Sequence, residues 1–294
     1  MEPGTGLDTR GTLPEGLGQA IRETAGDIAA LLRGAADTGI AVPDSEWSVG
    51  EAAAHLALAN ELMAEVAAGH ERPYGDGTPQ SLAVANERSL AVFGERAGEP
   101  LAAMIVEQAE AFLDAIARDD ADRDTAAAHD TGASTTAPKV LDDLSFNTPL
   151  GPLDRATFAS YLLTHMLGHG YDLARALGRP HMIDRARVEL CLPFLQAVMP
   201  RVADSSAVAG FTARYTLRIQ GGSAFGVAFT DGAVAVTPEP LDRADCTILT
   251  EPVTFLLMAL GRQGPWQALA RGRVLSWGRK PWLAPRFPNL FTAP

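Results

Sequence analysis

A chain of 294 residues that is 47% hydrophobic and 20% charged can bury a sizeable core, and its length favours two domains over one. Its 36 acidic against 24 basic residues give a formal charge of -12 with Lys and Arg scattered, so nucleic acid is not an expected partner. The opening MEPGTGLDTRGTLPEG lacks an apolar run behind a basic start, and no apolar run approaches the roughly 20 residues that span a bilayer; a cytoplasmic protein without a membrane partner is expected.

The first half is rich in Ala, Leu and Glu and reads as helices. Thr12-Leu13-Pro14-Glu15 is a capping box that announces a first helix, with Leu17, Ile21, Ile28, Leu31 and Leu32 at helical spacing and a stop near Gly34 to Gly39. Ser48 followed by Glu51 is a second capping box, opening a helix that runs to about Gly69. Gln80 to Ala97 and Leu101 to Arg118 supply further helices, broken at Gly98-Glu99-Pro100. Residues 119–154, rich in Asp, Thr, Ala and Pro, read as a long connection. The next helix spans about Arg155 to Leu177 and ends at Gly178-Arg179-Pro180, and an apolar segment from Val188 to Met199 follows it.

From about Thr212 the texture changes to alternating strands, ARYTLRIQ, FGVAFTDG, AVAVTPE and CTILTE, with Asp231-Gly232 as a hairpin turn. A helix over Pro252 to Leu260, a short one near Trp266, a strand in RVLSW and the segment KPWLAPRFPNLF complete a small α+β domain. Cys191 and Cys246 lie far apart in apolar surroundings and read as two buried thiols.

The segment HMLGHGYDL carries the chemistry. His165 and His169 stand at i and i+4, about 5–6 Å apart on a helix, which is the spacing that sets two imidazoles on one metal. They share the stripe Phe158, Leu162, His165, His169, Leu173, so both point toward the core, where unpaired imidazoles are costly and a divalent ion satisfies both. His55 is the candidate third ligand, on an inward stripe of small residues in the second helix; Glu51 and Glu61 compete with it. Asp172 is either an acceptor that orients an imidazole or a surface carboxylate pairing with Arg175 or Arg179. His70, His129 and His181 are expected in solvent.

These residues resemble a known family. EWSVGEAAAHLA, residues 46–57, and PLGPLDRATFASYLLTHMLGHGYDLARALGRP, residues 149–180, are similar to motifs of the DinB-like four-helix bundles. More narrowly, they resemble the mycothiol-dependent maleylpyruvate isomerase family, whose bundle precedes a domain similar to sterol carrier protein type 2. The resemblance implies an all-α four-helix bundle plus a small α+β domain, divided as 1–182, a connecting helix and linker at 183–208, and 209–294. It implies a divalent metal, expected as Zn²⁺, on His55, His165 and His169, with mycothiol as thiol cosubstrate. One arginine of the C-terminal part, Arg273, Arg279 or Arg286, is the implied holder of a substrate carboxylate.

The chain departs from that branch at His165, where glutamate is usual, and an all-histidine site looks like the thiol S-transferase side of the superfamily. The expected activity is therefore transfer of a small-molecule thiol, mycothiol, to a small electrophile. The alternatives are a cis-trans isomerase of the maleylpyruvate type and a non-catalytic module for an apolar ligand, which the apolar run VTFLLMAL keeps open. A monomer or homodimer is expected.

Overall fold

The computed structural model describes residues 13–70, 72, 74, 75, 79–129 and 145–292. The chain divides into two compact units, Met1–Met182 and Ile183–Pro294.

In the first unit, helix α1 (Leu17–Arg33) buries Leu17, Ile21, Ile28 and Leu32, as its spacing requires. It starts at Gly16, a left-handed residue with no side-chain cap, and not at the Thr12–Glu15 capping box; Thr12 lies outside the described residues. The box at α2 (Val49–Ala67) forms in full: Ser48 Oγ accepts from the Glu51 amide, and Glu51 Oε2 accepts from the Ser48 amide at 2.8 Å. Helices α3 (Pro79–Val92) and α4 (Gly98–His129) follow. The connection expected over residues 119–154 is shorter than its composition suggests. Its Ala-rich beginning extends α4, and its end folds into a hairpin of β1 (Ser145–Thr148) and β2 (Gly151–Asp154); residues 130–144 lie outside the described residues.

Helix α5 (Arg155–Ala176) begins where Asp154 accepts hydrogen bonds from the Thr157 amide at 2.9 Å and the Thr157 hydroxyl at 2.7 Å. Helices α1, α2, α4 and α5 pack on one another as an all-α bundle, with α3 against α2. Gly170 is where α5 meets α1: a Cβ there would stand 2.8 Å from Met182 Sδ and 3.1 Å from Ile28 Cγ1. The core is Ile28, Leu56, Leu101, Ile105, Phe112, Phe158, Leu162 and Leu167.

The second unit opens with α6 (Arg185–Val198) and the single turn α7 (Ser205–Val208). Its sheet has the order β5-β4-β3-β6-β7, built from β3 (Ala213–Ile219), β4 (Ala224–Thr230), β5 (Ala233–Thr237), β6 (Cys246–Thr250) and β7 (Val274–Trp277). The β3–β6 pair is parallel and the other pairs are antiparallel, giving a mixed sheet. Asp231 (φ 48°) and Gly232 (φ 89°) make the β4–β5 turn, where both positions need the left-handed region. Helix α8 (Pro252–Ala259) packs on α6, α9 (Pro265–Ala270) on β7, and a 3₁₀ segment, Pro281–Leu290, on β6. One sheet face buries Tyr215, Phe225, Phe229 and Ile248, with Phe287 of the 3₁₀ segment 4.9 Å from the Tyr215 ring. The run VTFLLMAL is core: Phe255, Leu256 and Leu257 are buried, and the Phe225 ring lies 6.2 Å from Phe255. Cys191 and Cys246 are free and buried, and burial pushes the Cys246 thiol up to about 11.

Candidate metal centre

Two helices bring the histidines together, and each helix is fixed by its own capping. The Ser48–Glu51 box sets the start of α2, and His55 follows just over one turn beyond Glu51. Asp154 sets the start of α5, which places His165 and His169 one turn apart on its inward stripe. Ring centroids are 4.6 Å apart for His165–His169, 4.8 Å for His55–His169 and 5.3 Å for His55–His165. One nitrogen from each ring lies within 4.8 Å of the others, the only such cluster of His, Cys, Asp or Glu among the described residues.

The donor set fits a divalent ion. Three neutral imidazoles with nitrogens this close reach zinc bond lengths of about 2.0–2.1 Å through side-chain rotations of roughly an ångström each, and three protein ligands leave room for a fourth group. His55 is 6% exposed, so an ion here would sit largely out of bulk water.

The competing carboxylates have other partners. Glu51 Oε2 takes the Ser48 amide and, at 2.9 Å, the Ser48 hydroxyl, and the Ser48 hydrogen bonds hold its carboxyl below the usual range. Glu61 stands 4.0 Å from Arg72. Asp172, 15% exposed, brings Oδ2 to 3.8 Å from His169 Nδ1, close enough to attract it and one small rotation from a hydrogen bond. Of the two arginines expected as its rival partners, Arg175 and Arg179, Arg175 pairs with Asp44 at 2.8 Å. His70 and His181 are exposed, and the His129 side chain lies outside the described residues.

Two aromatic residues belong to the site and were not singled out from sequence. The Trp47 ring lies 4.9 Å from His55 and 6.3 Å from His169, roughly stacked on the latter. Its position directly before the capping box was the available signal, since the residue preceding an N-cap is carried over the first turn. Tyr161, one turn before His165, meets that ring edge-on at 6.2 Å. Burial, assisted by nearby Tyr74, pushes the Tyr161 hydroxyl up to about 12, so it keeps its proton at neutral pH.

The three candidate arginines are engaged within the C-terminal unit. The Arg273 carbonyl accepts from the Glu251 amide at 2.9 Å; against burial, hydrogen bonds from Thr254 and Val253, with a smaller part from the exposed Arg273 side chain, hold the Glu251 carboxyl low. Arg279 pairs with Asp245 at 3.2 Å, and the Arg286 guanidinium lies 4.1 Å over the Phe211 ring.

Fold and site thus define a helical bundle with a three-imidazole cluster, followed by a small α+β unit of mixed sheet. The family model of the SCP-2 sterol transfer family matches residues 195–276, which places an SCP-2 domain at the C-terminal end. Among solved structures, the mycothiol-dependent maleylpyruvate isomerase is similar over 90% of this chain and 93% of its own, at 16% identity and a TM-score of 0.46. A ubiquinone synthesis protein, UbiJ-SCP2, is similar over 36% of this chain and 90% of its own, at 19% identity and a TM-score of 0.27. The sec-alkylsulfatase Pisa1 from Pseudomonas sp. is similar over 47% of this chain, at 12% identity and a TM-score of 0.30, and the chain spans only 24% of that protein's length. No curated protein matches the chain.

Proposed function

We propose that this protein is a metal-dependent thiol S-transferase that uses mycothiol and acts on a small electrophile. The observation that carries this reading is the convergence of His55, His165 and His169 on one point. A divalent ion held by three neutral imidazoles presents its full +2 charge, which lowers the pKa of a thiol brought to it. Mycothiol is the proposed thiol because residues 46–57 and 149–180 resemble the mycothiol-dependent bundles.

The chain's own groups have separate tasks. His55 and His169 would hold the ion between two helices, and His165 would supply a neutral donor where a glutamate would halve the net charge. A small rotation from its 3.8 Å separation would let Asp172 accept from His169 Nδ1, which would keep the ring's other nitrogen turned toward the ion. Trp47 covers the His55–His169 side against water, and Tyr161 offers a proton-bearing hydroxyl beside His165. The thiol, its proton passed to solvent, attacks an electrophilic carbon as thiolate, a C–S bond forms, and the leaving group departs with the electron pair of its broken bond. One C-terminal arginine, Arg273, Arg279 or Arg286, remains the proposed holder of a substrate carboxylate.

Purified protein is expected to carry about one divalent ion per chain by elemental analysis, and His165→Ala to lose both the ion and mycothiol-dependent consumption of electrophiles. Full activity in metal-free protein would overturn the proposal. Maleylpyruvate turnover that depends on mycothiol would instead select the isomerase. The SCP-2 match supports a second reading, in which the C-terminal unit carries an apolar ligand. Stoichiometric capture of an apolar probe without turnover would select it.

A further inference from the structure

The charge of this chain is divided along its length. After Glu251 the remaining 43 residues contain Arg262, Arg271, Arg273, Arg279, Lys280 and Arg286 and no Asp or Glu, so a tail of +6 follows 251 residues that carry -18. The same tail holds three of the four tryptophans, and all three are exposed: Trp266 and Trp282 at 69% and Trp277 at 47%. Leu275 is 55% exposed.

The strand pattern shows why the fold does not bury them. Along β7, Val274 and Ser276 face the core, while Arg273, Leu275 and Trp277 alternate onto the other face. The β6–β7 register sets Leu249 opposite Leu275 and Thr247 opposite Trp277, and the β3–β6 register adds Arg218 beside Leu249. Leu249 and Thr247 are half-buried and Arg218 is exposed. The open face of the β6–β7 edge is therefore an apolar and aromatic strip bordered by guanidinium groups. Helix α9, with Trp266, packs on β7, and the 3₁₀ segment, with Trp282, packs on it from the buried side, where the Ser276 hydroxyl donates to the Pro281 carbonyl at 3.2 Å, so Trp282 joins the β7 edge from the layer beneath the strip.

Exposed tryptophans beside cations suit one environment better than water. An indole gains by lying at the level of lipid headgroups with its N–H still hydrated, and Arg and Lys gain near anionic lipids. We infer that the β7 edge, with Trp266, Leu275, Trp277, Trp282 and the surrounding basic side chains, docks this protein peripherally on an anionic lipid surface. No helix crosses the bilayer in this arrangement, consistent with the absence of a sufficiently long apolar helix among the described residues. Charge complementarity selects the lipid: the tail itself is acid-free, and although Asp245 pairs with Arg279 and Lys280 at 3.2 Å, the exposed Arg271 and Arg273 just before β7 and Arg218 across the register add positive charge.

The test is co-sedimentation of the full chain with vesicles of phosphatidylcholine alone and of equal parts phosphatidylcholine and phosphatidylglycerol, in low and in about 0.5 M salt. Binding is expected on the anionic vesicles at low salt only, with a blue shift of the exposed tryptophan emission. Leu275→Ser/Trp277→Ser is expected to weaken partition at least tenfold, and Arg271→Glu by roughly fivefold or more. Both variants should keep the wild-type melting temperature. A melting temperature that falls is met by Trp282→Ser, an exposed position that should weaken partition by itself. Equal partition to both vesicle types, no partition, or a concentration-dependent dimer that buries the three tryptophans would overturn the proposal. So would capture by single-stranded nucleic acid in place of vesicles.

Discussion

At the scale of single residues the site rests on small distances. Asp172 lies 3.8 Å from His169 Nδ1, so Asp172→Asn should leave the fold intact and weaken metal affinity about 10- to 100-fold, measured by competition with a chromophoric chelator. An unchanged affinity would make Asp172 a bystander. Asn60, on the same helix as His55, is fully buried, and neither its amide nitrogen nor its oxygen has a hydrogen-bond partner among the described residues. A buried amide in that state costs on the order of 1–3 kcal/mol, so Asn60→Leu, of similar size, should raise the melting temperature. A fall would reveal a polar partner for Asn60. His55, His165 and His169 were legible in the sequence because helical spacing alone sets which way a side chain points. Trp47 and Tyr161 were not singled out, because an aromatic residue beside an apolar stripe carries no sign of which ring it will touch.

At the scale of elements, the capping box that opens α2 contributes about 1 kcal/mol and couples to pH through Glu51. The Ser48 hydrogen bonds depress the Glu51 carboxyl below its ordinary 4.5, so its contribution is fully present above that value and is lost as pH falls through the folded-state value. The melting-temperature gap between wild type and Glu51→Gln should accordingly be constant from pH 7 to about 5 and shrink in stronger acid. A gap independent of pH would remove Glu51 from the cap. Where α5 approaches α1, Gly170→Ala drives a methyl against Met182 and Ile28 and should destabilise by about 1–3 kcal/mol by thermal or urea unfolding. Helix starts marked by Ser48 and strand turns marked by Asp231-Gly232 could be read directly, since each signal is chemically local. The extension of α4 to His129 could not: a polar, Ala-rich segment suits a solvated helix and a loop equally well.

For the whole molecule, the presence of two compact units makes a differential prediction. An ion that binds the folded bundle stabilises it by mass action, so a chelator should lower the unfolding transition of the N-terminal unit and leave that of the C-terminal unit in place. Calorimetry with and without chelator decides this, and a coincident shift of both transitions would argue against a bundle-confined metal. The bulk charge was informative and also misleading. Basic residues are scattered along the chain, but the acidic ones stop at Glu251, and a single sum of -12 conceals the segregation. A chain with no spanning helix among its described residues can still touch a lipid surface from one side. The placement of the tryptophans has a further consequence: the chain carries two colours of intrinsic reporter. Trp47, half-buried against two imidazoles, should emit toward the blue, while Trp266, Trp277 and Trp282 emit toward the red from water. One emission spectrum can therefore follow the histidine cluster at its short-wavelength side and the β7 edge at its long-wavelength side, without any attached label.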